Sequence, residues 1–288
     1  MNIAWQKMAV ISAYPDLAAS PFSALNVGWD SQAFDVGGAW IFKFPKHAKA
    51  EARLRNEVRF LEIIRPRVCM PVPDIRLQEG PPVFSAHRKL MGGYLLAEQY
   101  AGLSEAQRDS AAEKLAKFYA ELHGIGADTM SEAGALPQPS WLRPDGICDK
   151  ALPHLPAGIH GWARAALKEW EEMQADPHGA VFGHFDGHGW NMAFDAELGI
   201  LNGIYDFADS GIGPLHQDFI YSSFIDEDLT LRIIAAYERI TCKSIDRRRV
   251  DILTAAHRLH ELAEIAHDPP QIPHARSNVE AWASRSQP

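Results

Sequence analysis

The sequence predicts an α+β protein in two lobes, a small antiparallel sheet with one helix over residues 1–91 and a mainly helical lobe over residues 92–288. Three observations predict it. Two short apolar runs, AFDVGG and AWIFKFPK, meet at Gly37-Gly38, a dipeptide that readily takes the positive φ angles of a tight hairpin. The next segment, KAEARLRNEVRFLEII, repeats apolar residues at Leu54, Val58, Leu61 and Ile63 or Ile64, close to the 3.6-residue period of a helix. From Ser104 onward helical periods dominate, broken chiefly between residues 181 and 212.

Taken in order, the hairpin is followed by the amphipathic helix, which must stop before Pro66 because proline cannot continue the hydrogen-bond ladder. VPDIRLQEG and PPVFSAHRKL are short and bounded by Pro or Gly, so each reads as a strand. The first ninety residues thus read strand, strand, helix, strand, strand. SEAQRDSAAEKLAKFYAELHGI has Ser104 to cap it and places Leu115, Phe118, Tyr119 and Leu122 on one face of a helix. Residues Ala127 to Pro156, rich in Pro, Gly and Asp, read as a loop-dominated insertion, and HGWARAALKEWEEMQA as a helix. NMAFD and ILNGIYDF are strand-like, LTLRIIAAYERI and RVDILTAAHRLHELAEIA are helical, and the tail after Pro269 is expected to be loosely ordered.

Bulk properties narrow the function. No run of 18 apolar residues exists to span a bilayer, and the mildly apolar start is broken by Tyr14, Pro15 and Asp16, so the reading places the chain in the cytoplasm, with no membrane partner. Three cysteines at wide spacing, with no CxxC pair, argue against a disulfide framework and against zinc. A net charge of −9 argues against nucleic acid, whose phosphates demand a basic surface. The charge is unevenly spread: residues Ile41 to Arg67 hold eight Lys/Arg against three Glu, whereas residues Val181 to Thr230 hold nine Asp/Glu and no Lys or Arg. Such an acidic stretch is either a solvated face or a place that gathers cations.

The chemistry concentrates in VFGHFDGHGWNMAFD. Asp186 and Asn191 reproduce the spacing of a kinase catalytic loop, where the Asp accepts a hydroxyl proton and the Asn binds Mg²⁺. Fifteen residues on, Asp206 in IYDFADSG stands where a second Mg²⁺-binding carboxylate is needed, and a short hairpin would bring the two together. His184 and His188 belong to no HExxH helix; His184 is expected to bind backbone carbonyls. In the first lobe, Lys43 lies within a strand, either as an ordinary outward charge or as a phosphate-binding lysine with Glu57 as its best partner and Glu51 or Glu62 as fallbacks. The loop LNVGWDSQAF, with a Gly28 turn and polar Asp30, Ser31 and Gln32, is suited to cover phosphates through its amides. Neither GxGxxG nor GxxxxGK[ST] occurs.

These landmarks, from the GWD loop and KFPK through HRKLMGG, ELHGI and HFDGHGWN to IYDFADSGIGPLHQDF, resemble the aminoglycoside phosphotransferase family of small-molecule kinases, and most of all its 2″-phosphotransferase branch. The resemblance spans nearly the whole chain. It implies a bilobal protein-kinase-like fold, with residues 1–91 as a nucleotide-binding lobe and residues 92–288 as the catalytic and substrate-binding lobe. It implies Asp186 as catalytic base, Asn191 and Asp206 as Mg²⁺ ligands, and Lys43 with Glu57 at the phosphates of ATP or GTP. Ser31 would lie in the phosphate loop, Lys89 to Met91 would form a hinge to the purine, and Asp218 would support the catalytic loop. Where the family has HGDLHPGN, this chain has Phe185, Gly187 and Trp190 around the same Asp and Asn, which points to a different acceptor site. Asp209, Asp226, Glu227 and Trp190 are the candidate acceptor contacts. An aminoglycoside kinase conferring antibiotic resistance, a kinase for another metabolite or a macrolide, and a non-catalytic nucleotide-binding protein all remain open, with a monomer or weak dimer expected.

Overall fold

The computed structural model describes residues 3–25 and 30–285. The Gly28 turn, read from the sequence as part of a loop covering phosphates, falls outside them. A helix α1 (Ala4–Ala13) and the short edge strand β1 (Phe22–Ala24) precede the hairpin of β2 (Ser31–Val36) and β3 (Trp40–Pro45). At its tip Gly37 and Gly38 have φ of +66° and +68°, the backbone the dipeptide was expected to supply. Helix α2 (Ala48–Ile64) follows, capped by the His47 ring, and then β4 (Arg76–Gln78) and β5 (Phe84–Arg88) complete a five-stranded antiparallel sheet in the order β1-β2-β3-β5-β4.

The sequence reading omits α1 and β1. Helix α1 is weakly patterned, and its two buried residues, Gln6 and Val10, contribute to one face of the sheet, with Val10 joining Phe34, Phe42, Phe44 and Phe84 in a separate apolar cluster. The other face of the sheet carries Ile41, Lys43 and Ala33 toward the rest of the molecule.

Beyond a linker, α3 (Ala97–Ala101) leads to α4 (Glu105–His123), whose Ser104 and Gln107 close a capping box. The stretch expected to be mostly loop instead contains α5 (Ala127–Glu132) and α6 (Pro144–Ala151) before α7 (His160–Glu171). Proline misleads there because Pro144 occupies the first turn of α6, where the missing N–H costs nothing. Next, β6 (Ala180–Gly183) pairs with β9 (Gly211–Pro214), and β7 (Met192–Asp195) with β8 (Ile200–Ile204). Helices α8 (Glu227–Thr241), α9 (Arg247–Glu264) and α10 (Ile272–Arg285) close the chain. Among the described residues no helix is long and apolar enough to cross a membrane.

Helix α10 corrects the expectation of a loose tail. Its Ala275, Val279, Trp282 and Ala283 are buried; Ala275 and Val279 pack with α9 in a cluster separate from the main core, and the Arg258 guanidinium of α9 lies 4.9 Å from the Trp282 ring centroid. Half of its apolar residues are alanines, a thin signal in sequence, but α9 supplies the surface that turns four of the apolar positions into a buried stripe. Trp282→Ala should therefore lower unfolding free energy by about 3 kcal/mol in a denaturant titration, where a frayed tail would leave it unchanged.

Candidate active site

A cleft of about 850 Å³ runs between the inner face of the sheet and the hairpin region of the helical part. Its lining includes Ser31, Lys43, Glu57, Asp186, Asn191, Asp206 and Asp209, drawn from segments far apart in sequence. Lys43 projects from β3 on the face away from the Phe42 and Phe44 cluster, because side chains alternate along a strand. Its ammonium lies 3.2 Å from Asp206 Oδ1 and 3.7 Å from Glu57 Oε1, so Glu57 rather than Glu51 is its helix partner; Glu51 pairs with Arg55. Glu57, 2 % exposed, also accepts the backbone N–H of Phe207.

Burial works against all three charges, and their mutual attraction decides the outcome. For Lys43 the carboxylate of Asp206, then that of Glu57, outweighs burial and holds the ammonium above its ordinary range. Burial similarly opposes the charge of Asp206, but nearby Lys43 overrides it and keeps the carboxylate below its ordinary range. Glu57, farther from the ammonium, is the member that burial pushes upward.

The loop that carries Asp186 leaves β6 at Gly183 and is fixed from below by Asp218, which is fully buried. Asp218 accepts the backbone N–H of His184 at 2.9 Å and of Phe185 at 2.5 Å, and sits 3.0 Å from His123 Nε2. This holds Phe185 at φ +53°, a conformation a non-glycine residue adopts only when its surroundings impose it. Glycines allow the loop to pack closely: a Cβ at Gly187 would fall 2.1 Å from Tyr119 Oη, and one at Gly189 would fall 1.8 Å from the Leu95 carbonyl oxygen. His184 is buried, with Nε2 3.2 Å from the Tyr205 carbonyl, as a loop-shaping histidine should be.

Asn191 donates its amide hydrogens to the Asp186 carbonyl at 2.9 Å and to Asp186 Oδ2 at 2.7 Å. Its Oδ1 is therefore the oxygen left for a ligand. Asp206, at φ +64°, uses Oδ1 for Lys43. One amide oxygen and one carboxylate are hard donors that suit Mg²⁺, whose remaining positions are filled by water and phosphate. The donor set fits the metal.

The structure also shows what the sequence reading left unused. His188 Nε2 lies 3.1 Å from Asp186 Oδ1. Although burial opposes it, the hydrogen bond and charge of Asp186 raise the imidazole's affinity for a proton. Arg53 of α2 bridges Asp30 at 2.8 Å and Asp209 at 3.6 Å, placing a cation at the acidic rim. Only the fold reveals these neighbours.

The remaining candidates divide: Lys89 and Trp190 line the cleft, whereas Met91, Asp226 and Glu227 do not. The Lys89 ammonium pairs with Asp35 across the sheet at 2.6 Å. Met91 is exposed, is absent from the cleft lining, and gives its carbonyl to Asn202; Leu90, Gly92, Gly93 and Tyr94 face the cleft instead. Asp226 caps α8 through the Asp228 N–H and Glu227 pairs with Arg285, so both acidic side chains serve helix ends rather than the cleft lining. Trp190 does line it, with its ring 4.8 Å from Tyr94, whereas Phe185 is buried in the main core.

Because Asp218 serves two backbone N–H groups, Asp218→Asn must turn an amide toward one of them or leave it unbound. We expect a stability loss of about 2 kcal/mol by thermal or chemical melting, with tryptophan fluorescence showing a looser loop.

No curated protein sequence matches the chain at a significant level. Among solved structures, the GDP complex of wild-type aminoglycoside 2′-phosphotransferase-IIIa superposes with a TM-score of 0.85 at 20 % identity, covering 100 % of both chains. The GDP and kanamycin complex of APH(2″)-IIIa gives 0.81 at 20 % identity, over 99 % of this chain and 100 % of that one. A macrolide 2′-phosphotransferase from Brachybacterium faecium gives 0.64 at 15 % identity, over 97 % and 99 %. At such identities the likeness is one of fold, and it matches the α+β architecture of a small antiparallel sheet followed by helices. A model of the phosphotransferase enzyme family APH matches residues 21–253, most of the chain, and the protein therefore belongs to that family of phosphotransferases acting on hydroxyl groups.

Proposed function

We propose that this chain transfers the γ-phosphoryl group of a nucleoside triphosphate to a hydroxyl of a small molecule, with residues 1–91 as the nucleotide-binding lobe and 92–288 as the catalytic and substrate-binding lobe. The observation that carries the reading is the meeting of Lys43, Glu57, Asp186, Asn191 and Asp206 in one cleft. Lys43, kept charged by its two carboxylates, neutralises phosphate oxygens. Asp186, with Oδ2 held by Asn191 and Oδ1 facing His188, is positioned to align the acceptor hydroxyl and receive its proton. Asn191 and Asp206 would hold Mg²⁺, which supplies charge neutralisation at the phosphates when bound. Cytoplasmic placement suits a need for nucleoside triphosphate.

For the acceptor we favour a cationic, aminoglycoside-type antibiotic, which would make the enzyme a resistance factor; kanamycin in one similar structure and the carboxylates of Asp186 and Asp209 support this reading. A second reading, an uncharged acceptor such as a macrolide or another metabolite, is favoured by two observations. Arg53 offsets Asp209, and Asp226 and Glu227 lie outside the lining.

A phosphotransfer screen of aminoglycosides, macrolides and common metabolites with ATP and GTP tests the activity. Asp186→Asn should cut kcat by about 10²–10⁴ while leaving nucleotide affinity nearly unchanged; retention of full kcat would overturn the assigned base. Acidity separates the two acceptor classes. Although its side chain is 56 % exposed at the rim, partial loss of water there, followed by the charge of Asp186, pushes Asp209 up to about 6, so its ionised fraction falls as pH drops through that value. A polycationic acceptor should show KM rising as pH falls from 7 to 5, whereas an uncharged acceptor should show no such rise.

A further inference from the structure

On the sheet side of the cleft, β5 contributes an imidazole, opposite Ile41 in the ladder, whose chemistry is unused by phosphoryl transfer. Residues 85 and 87 face the cleft side, paired across the ladder with Lys43 and Ile41, while Phe84 and Ala86 belong to the apolar cluster behind the sheet. His87 is 5 % exposed and lines the cleft with the apolar groups of Ala33, Ile41 and Leu90, a setting suited to a flat heterocycle.

Its protonation state follows from one contact. His87 Nδ1 lies 2.9 Å from the Arg88 carbonyl oxygen. A carbonyl can only accept, so Nδ1 carries the hydrogen, and in the neutral ring Nε2 is a bare lone pair. Burial holds the imidazole's pKa down to about 4, with the Lys43 ammonium adding to the effect, so the ring is neutral near pH 7. Among the described residues Nε2 has no hydrogen-bond partner. This part of the cleft is therefore lined by a hydrogen-bond acceptor.

Adenine carries an amino donor at position 6, and guanine carries a carbonyl acceptor there. We propose that His87 selects the purine, its Nε2 accepting from the 6-amino group of ATP and disfavouring GTP. This rests on reading the cleft as a nucleoside triphosphate site. To favour a 6-oxo group, the ring must move its hydrogen to Nε2, which sets the Nδ1 lone pair against the Arg88 carbonyl. Its other route is a second proton, which both burial and Lys43 oppose.

The test is calorimetric titration of the full chain, without acceptor, using the Mg²⁺ salts of ATP, GTP and inosine triphosphate, which shares the 6-oxo group of GTP but lacks its 2-amino group. ATP should bind at least about tenfold tighter than either of the others, and those two should bind alike. His87→Leu should bring all three within about twofold by weakening ATP. His87→Gln, whose amide can present oxygen or NH₂, should narrow the gap by strengthening the 6-oxo nucleotides, with melting temperature reporting that both variants fold. GTP binding as tightly as ATP, inosine triphosphate behaving like ATP, or an unchanged ratio in His87→Leu overturns the proposal. Failure of all three nucleotides to bind the unaltered chain instead overturns the nucleotide-site reading itself, and this proposal with it.

Discussion

The ammonium of Lys43 joins three parts of the molecule that share no sequence neighbourhood. It belongs to β3 of the sheet, and its two carboxylate partners come from α2 and from the end of the β7-β8 hairpin. A buried charge left without a partner is costly, so the cleft walls are held in register by electrostatics as much as by packing. Glu57 adds a second tie by accepting the N–H of Phe207, which fixes the backbone beside Asp206. Helix α2 is the mechanical link: its Glu57 faces the cleft while its Phe60, Leu61 and Ile64 belong to the main apolar core.

The loop around Asp186 is built on a different principle, that of satisfying backbone groups from a buried carboxylate. Asp218 takes two consecutive N–H groups, leaving Phe185 in a left-handed conformation and turning the next side chain, Asp186, toward the cleft. Asn191 then holds one carboxylate oxygen of Asp186 and His188 the other. A carboxylate held at both oxygens is restrained before any ligand arrives, and such preorganisation is what catalysis by positioning requires.

The uneven charge of the sequence takes on a definite meaning in three dimensions. Of the nine acidic residues between Val181 and Thr230, only Asp186, Asp206 and Asp209 line the cleft. Asp218 supports the loop from inside, and Asp226, Glu227 and Asp228 cap or pair at the start of α8, with Asp228 bound to Arg232 and Tyr100. Basic residues of the first ninety supply the counter-charges, with Lys43 and Arg53 both reaching the acidic side. The cleft is thus a mixed electrostatic surface, less negative than the run of carboxylates implies.

By itself the sequence determined those features whose physics is local: the Gly37-Gly38 hairpin, the amphipathic stripe of α2, the Ser104 cap and the Asp186-Asn191-Asp206 spacing. In each case the responsible residues lie within a few turns or one hairpin of one another. It left α1, α5, α6 and α10 unread because their apolar stripes are short or weak and become decisive only against a partner surface. The service of Asp218 to two N–H groups, the diversion of Asp226 and Glu227 to helix ends and the bare nitrogen of His87 were decided by tertiary structure alone. Each depends on which side chain a distant segment brings within about 3 Å, and hydrogen bonds and ion pairs are set by that distance and by burial, neither of which is written in residue order.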